Sequence, residues 1–101
     1  MKITIRYFDG CPNWQIADSR LRQALASKGL DADPDHELVG TPEEAERLRF
    51  HGSPTILIDG VDPFPAEEAG YGLACRLYRT EAGREGSPSL AQILAVLPRP
   101  A

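Results

Sequence analysis

The sequence predicts an α/β domain of order βαβαββα, with a central mixed sheet flanked by helices. Three observations lead there. Residues from Lys2 to Phe8 alternate and residues Ile56, Leu57 and Ile58 form a continuous apolar run, which are the two patterns strands adopt. Between them, Trp14, Ala17, Leu21, Ala24 and Leu25 recur at helical spacing. Glycines and prolines stand between these stretches, at Gly10, Gly29, Gly52 with Pro54, and Gly60.

In chain order, β-type alternation places Ile3, Ile5 and Tyr7 on one face of the first strand and Thr4, Arg6 and Phe8 on the other. Gly10 ends that strand. Pro12 suits the first helical position, so a helix is expected from about Pro12 to Lys28, stopped by Gly29. His36 to Val39 reads as a short strand, and Thr41, Pro42, Glu43, Glu44 as a capping box opening a second helix that ends near Phe50. A third strand covers Ile56 to Ile58, and residues 59–74 read as a long loop. Cys75 to Thr80 alternates as a fourth strand, a turn passes through Gly83 and Gly86, and Ser87 with Pro88 opens a last helix carrying Leu90, Ile93, Leu94 and Leu97. The first two strands, joined through a helix, should be parallel, and the third and fourth should be antiparallel neighbours.

The 101 residues, 42% hydrophobic and 26% charged, suit a single domain over 1–101 with its own core. A net charge of -4 with scattered basic residues disfavours nucleic acid, and no apolar tract is long enough for a membrane span. Met1 and Lys2 lead directly into the first strand, which leaves no room for a leader, so a cytoplasmic protein is expected. Cys11, Cys75, His36 and His51 fit no metal-ligand spacing, so neither a metal nor another cofactor is expected. Reducing conditions would keep both thiols free.

Cys11 is either a low-pKa thiolate that attacks a disulfide or accepts a small-thiol adduct, or a partly buried thiol marking an inactive descendant, and its position favours the first. A thiol at the first turn of a helix faces unpaired N–H groups and the positive end of the macrodipole, both of which favour thiolate. Asp9 would oppose this if its carboxylate came close; otherwise Asp9 and Gly10 shape the turn.

Cys11-Pro12 at the end of the first strand, Ser53-Pro54-Thr55 just before the third, and the element order over nearly the whole chain resemble the thioredoxin and glutaredoxin superfamily. The resemblance implies a thioredoxin-like fold, Cys11 as nucleophile, and Pro54 as a cis-proline beside it. It also implies that the Ser53 backbone pairs with an extended substrate or a small thiol. Two departures stand out: Trp14 occupies the place of the family's resolving cysteine, and the 59–74 loop is longer than the usual hairpin.

Each remaining residue has two readings. Cys75 is either a distant resolving thiol or a small apolar strand residue. On the expected hairpin it would begin its strand roughly 13 Å from Pro54, whereas a disulfide needs Cα atoms within about 7 Å. Cys11 is therefore expected to lack a partner within the domain. Trp14 is either core, beginning the helix's apolar stripe, or a ligand platform beside the thiol, with Pro12, Ser53 and Pro54 as the other substrate-binding residues. His51 either supports a thiolate or simply ends its helix.

The activity expected from this is monothiol thiol–disulfide exchange. Cys11 would attack mixed disulfides of proteins or small molecules, and a low-molecular-weight thiol would act as co-substrate. The alternatives are a non-catalytic thioredoxin-like binding module, and soft-metal or organomercurial handling by Cys11 and Cys75.

Overall fold

The structure, a computed structural model, describes residues 1–64 and 70–98. Its elements are β1 (Ile3–Tyr7), α1 (Asn13–Ser27), β2 (Asp35–Leu38), α2 (Pro42–Arg47), β3 (Thr55–Ile58), β4 (Tyr78–Thr80), β5 (Gly83–Glu85) and α3 (Leu90–Val96). β1 is the centre of a three-stranded mixed sheet of order β2-β1-β3. It runs parallel to β2, with Thr4 opposite Asp35 and Tyr7 opposite Leu38, and antiparallel to β3, with Ile3 opposite Ile58 and Arg6 opposite Thr55.

Strand alternation decides which side chains form the core. Ile3, Ile5 and Ile56 meet Ala17, Leu21, Ala24 and Leu25 of α1, with Ile93 and Leu97 from α3 and its end. The C-terminus of α1 is closed by a Schellman motif. Gly29 sits at φ 66° and donates to Ala26 O at 3.1 Å, Leu30 donates to Leu25 O at 2.9 Å, and Leu30 then packs on the core.

α2 is shorter than the sequence suggests. Thr41 caps it by accepting from the Glu44 N–H at 3.1 Å. The same closing motif then recurs two residues early with Arg49, at φ 55°, in the position usually held by glycine. Arg49 donates to Glu46 O at 3.2 Å and Phe50 to Ala45 O at 2.8 Å, which turns Phe50 inward against Val39 and Ala45.

The C-terminal half differs more. β4 starts at Tyr78 rather than Cys75, and its partner among the described residues is β5, not β3. Tyr78 lies opposite Glu85 and Thr80 opposite Gly83, whose φ of 112° permits the tight return. Thr80 Oγ1 accepts from the Ala82 N–H at 3.1 Å and fixes the turn. α3 begins after a complete capping box of Ser89 and Gln92, slightly later than Ser87 and Pro88 suggest. Among the described residues no helix is long and apolar enough to cross a membrane.

Candidate functional site

Cys11 stands between β1 and α1, with its N–H donating to Phe8 O at 3.3 Å and the whole residue buried at 0% exposure. Gly10 leaves room for the Phe8 ring, from which a Cβ there would lie 2.5 Å. Pro12 is the N-cap of α1, one position before the helix proper, and supplies no side-chain cap. Asp9 is exposed.

The Ser53–Pro54 peptide is cis. Ser53 is fully buried, and its carbonyl oxygen lies 3.7 Å from Cys11 Sγ. Because that sulfur carries no proton, the approach is a contact and not a hydrogen bond.

Cys11 is bonded to Cys75, with their Cα atoms 5.8 Å apart at a sequence separation of 64. This overturns the expectation that Cys75 would lie out of reach on a strand. Cys75 instead forms a parallel bridge with Ser53. The Ser53 N–H donates to Ala74 O and the Arg76 N–H donates to Ser53 O, both at 2.8 Å. The strand alternation of 75–80 is therefore interrupted: its first two residues pair with the turn before β3, and only its last three form β4.

The whole of 70–78 runs along 50–54. His51 Nδ1 meets Gly70 O at 3.1 Å, and the Gly72 N–H donates to Phe50 O at 3.1 Å. The Tyr78 hydroxyl donates to Pro54 O. Leu73 packs on the cluster of Val39, Ala45 and Phe50. Gly52 makes the approach sterically feasible. Its φ is 121°, and a Cβ there would meet Ala74 O at 3.0 Å and Arg76 N at 3.2 Å.

Arg76 anchors the segment from within, only 5% exposed. Its guanidinium donates to Asp62 Oδ2 and to Phe64 O, each at 2.8 Å, and to Thr55 Oγ1 at 3.3 Å. It also lies 4.5 Å from the Tyr78 ring centroid. Burial pushes the Tyr78 phenol well above its usual range; Arg76 lowers it and Asp62 raises it by smaller amounts.

The other candidates divide. His51 faces the 70–71 stretch, with its ring 4.9 Å from that of Tyr71 and Nδ1 on a carbonyl, so Nδ1 carries the proton there. Trp14 is partly buried against the main core, stacked on Tyr7 at 4.4 Å and edge-on to His36 at 5.0 Å. Among the described residues no group of three metal-ligating side chains forms.

The sequence marks Gly52 only as a break before the third strand and gives Asp62, Arg76 and Tyr78 no role. Their roles depend on contacts across the 59–74 loop, and nothing in local periodicity marks them. Residues 65–69 of that loop lie outside the described residues.

No family model, curated protein or solved structure matches this chain. The site therefore rests on its own geometry. Two sulfurs are joined, one buried at the start of α1 and one on an exposed residue of a segment hydrogen-bonded to Ser53. Such an arrangement can be opened and closed by two-electron thiol exchange.

Proposed function

We propose that this protein is a thioredoxin-like thiol–disulfide oxidoreductase in which Cys11 and Cys75 cycle between dithiol and disulfide. The observation that carries the reading is the Cys11–Cys75 bond, with Cys75 held on the Ser53 backbone. The cysteine before α1, the cis peptide before β3, and a central strand flanked by one parallel and one antiparallel neighbour support the thioredoxin-like part.

In the reduced protein, Cys11 thiolate attacks one sulfur of a protein or small-molecule disulfide and expels the other as a thiolate. Cys75 thiolate then attacks Cys11 Sγ, the Cys11–Cys75 bond forms, and the second substrate sulfur leaves. Cys75 thus takes the part that a monothiol cycle gives to a low-molecular-weight thiol. In the cytoplasm, where we place the protein, the pair rests reduced and oxidises in turnover. The Ser53 backbone is occupied by residues of the same chain, which weighs against a binding module using that edge.

Reduction of a mixed disulfide by wild type, Cys11→Ser and Cys75→Ser tests this. Cys11→Ser should lose all activity, and Cys75→Ser should stop as an adduct on Cys11. Sustained turnover by Cys75→Ser with added small thiol would restore the monothiol cycle. No exchange by wild type with any disulfide would sink both.

The adjacency of the two sulfurs also favours a second reading, capture of a soft metal or organometal by the reduced pair. It requires two thiols lost per metal bound; loss of one excludes it.

A further inference from the structure

The disulfide is asymmetric in a way that decides how it is reopened. Cys11 is 0% exposed, with its N–H on Phe8 O, its sulfur against Ser53 O, and its bond running to Cys75 on the segment paired with Ser53. Cys75 is an exposed residue. Thiol exchange is a displacement in line with the S–S bond, so the attacking sulfur must reach the side of its target that faces away from the leaving sulfur. For Cys11 that side lies within the protein. For Cys75, exposure leaves an approach from solvent.

We propose that the external reductant attacks Cys75, that the mixed disulfide of the reductive half-reaction forms there, and that Cys11 is the leaving group. This rests on the oxidoreductase reading and reverses, for this half of the cycle, the sulfur order that the family resemblance implies.

The reductant is a thiol, RSH, reacting as its thiolate after losing its proton to water. RS⁻ attacks Cys75 Sγ, so the R–S–S–Cys75 bond forms, the Cys75–Cys11 bond breaks and the electron pair leaves on Cys11 sulfur. A second RS⁻ attacks the R sulfur, releasing RSSR and Cys75 thiolate. Both cysteine thiolates equilibrate with protons from solvent. Two thiols are oxidised and one protein disulfide is reduced.

The surroundings suit this order. The backbone bonds of Ala74 and Arg76 to Ser53, and the buried Arg76 guanidinium, hold Cys75 in place without using its side chain. The freed Cys11 thiolate is left at the start of α1, where the helix N-terminus favours negative charge. No part of the segment has to undock before the first step. A partner that attacked Cys11 would have to displace the segment first.

The test is to treat the oxidised full chain with reduced glutathione, quench with acid at early times, block free thiols with N-ethylmaleimide at low pH and map both labels by peptide mass spectrometry. Glutathione on Cys75 with maleimide on Cys11 should exceed the reverse at least tenfold. Extrapolation to zero time separates the first adduct from one that migrates. Glutathione predominantly on Cys11, or divided evenly, overturns the inference and leaves the oxidoreductase reading intact. If neither glutathione nor dithiothreitol opens the bond in the folded protein, the oxidoreductase reading fails with it. Gly52→Ala supplies a second arm: a Cβ 3.0 Å from Ala74 O loosens the segment over Cys11, so the preference for Cys75 should fall toward parity. An unchanged preference in a folded Gly52→Ala protein also counts against the inference.

Discussion

Reducing the Cys11–Cys75 bond should cost the domain much of its stability. The bond closes a loop of 64 positions, and confining that loop in the unfolded chain is worth roughly 4 kcal/mol at 25 °C by the chain-entropy relation. Small domains have only about 5–15 kcal/mol in total. For this chain length the difference corresponds to a Tm lowered by roughly 15–30 °C, or a urea midpoint lowered by about 1.3–4 M. The assay is urea unfolding of oxidised protein, reduced protein and Cys11→Ser/Cys75→Ser, and the last two should coincide. Linkage makes the converse measurable. A bond that stabilises the fold by about 4 kcal/mol is favoured by the fold about a thousandfold over the unfolded chain, so the thiol-to-disulfide ratio against a glutathione buffer should shift by that factor in denaturing urea. Equal midpoints for oxidised and reduced protein would refute the reasoning, because the fold would then not hold the two cysteines together.

Gly52→Ala places a side chain at φ 121° and 3.0 Å from Ala74 O, so it should cost about 1–3 kcal/mol in urea unfolding; a loss below 0.5 kcal/mol would show that the approach is not tight. Arg76→Met leaves the Asp62 carboxylate without its cation, and since that side chain is 22% exposed the loss should be about 2 kcal/mol, below that of a fully buried pair. An Arg76→Met/Asp62→Asn cycle isolates the pair, and zero coupling would assign the effect to packing alone. Tyr78 keeps its proton above the ordinary phenol range of about 10, so between that value and its folded pKa the native state binds the extra proton. Stability is then fully present below about pH 10 and falls as pH rises past it, by at most about 1.4 kcal/mol per unit, and Tyr78→Phe should lack that component in unfolding series from about pH 9 to 11.

The first half of the fold was legible because its signals are local. Alternation marked β1, the Trp14-to-Leu25 stripe marked α1 and Gly29 its end, and the parallel β1–β2 pairing followed from the intervening helix. The early close of α2 was not legible because Arg49 takes a backbone conformation usually signalled by glycine. β5 was hidden by its three-residue length and by Gly83, which reads as a turn. The site divided along the same line. Cys11, Ser53 and Pro54 sit at element boundaries that short patterns locate. Cys75 does not, because its position comes from two backbone bonds to Ser53 and from Arg76 reaching Asp62 and Phe64, pairings across stretches with no period.

That difference also separates the surroundings of Trp14 from those of the second sulfur. The Trp14 ring turns to Tyr7 and His36, an aromatic contact that ties α1 to β1 and β2. The second sulfur comes from 70–78, whose backbone is held at Phe50, His51 and Ser53 and whose Tyr78 hydroxyl donates to Pro54 O. Arg76 adds its bonds to Asp62 and Phe64, Leu73 packs on the Phe50 cluster, and the disulfide fastens the segment to Cys11. On the proposed function this couples chemistry to access: the oxidised segment covers Cys11 and presents Cys75, while breaking the bond weakens the cover and lets Cys11 meet a substrate. Hydrogen exchange at Gly72 and Arg76, whose N–H groups make two of these bonds, reads that coupling directly. Both amides should exchange faster after reduction while those of α1 stay protected; equal acceleration throughout would mean that reduction loosens the whole domain and not the segment.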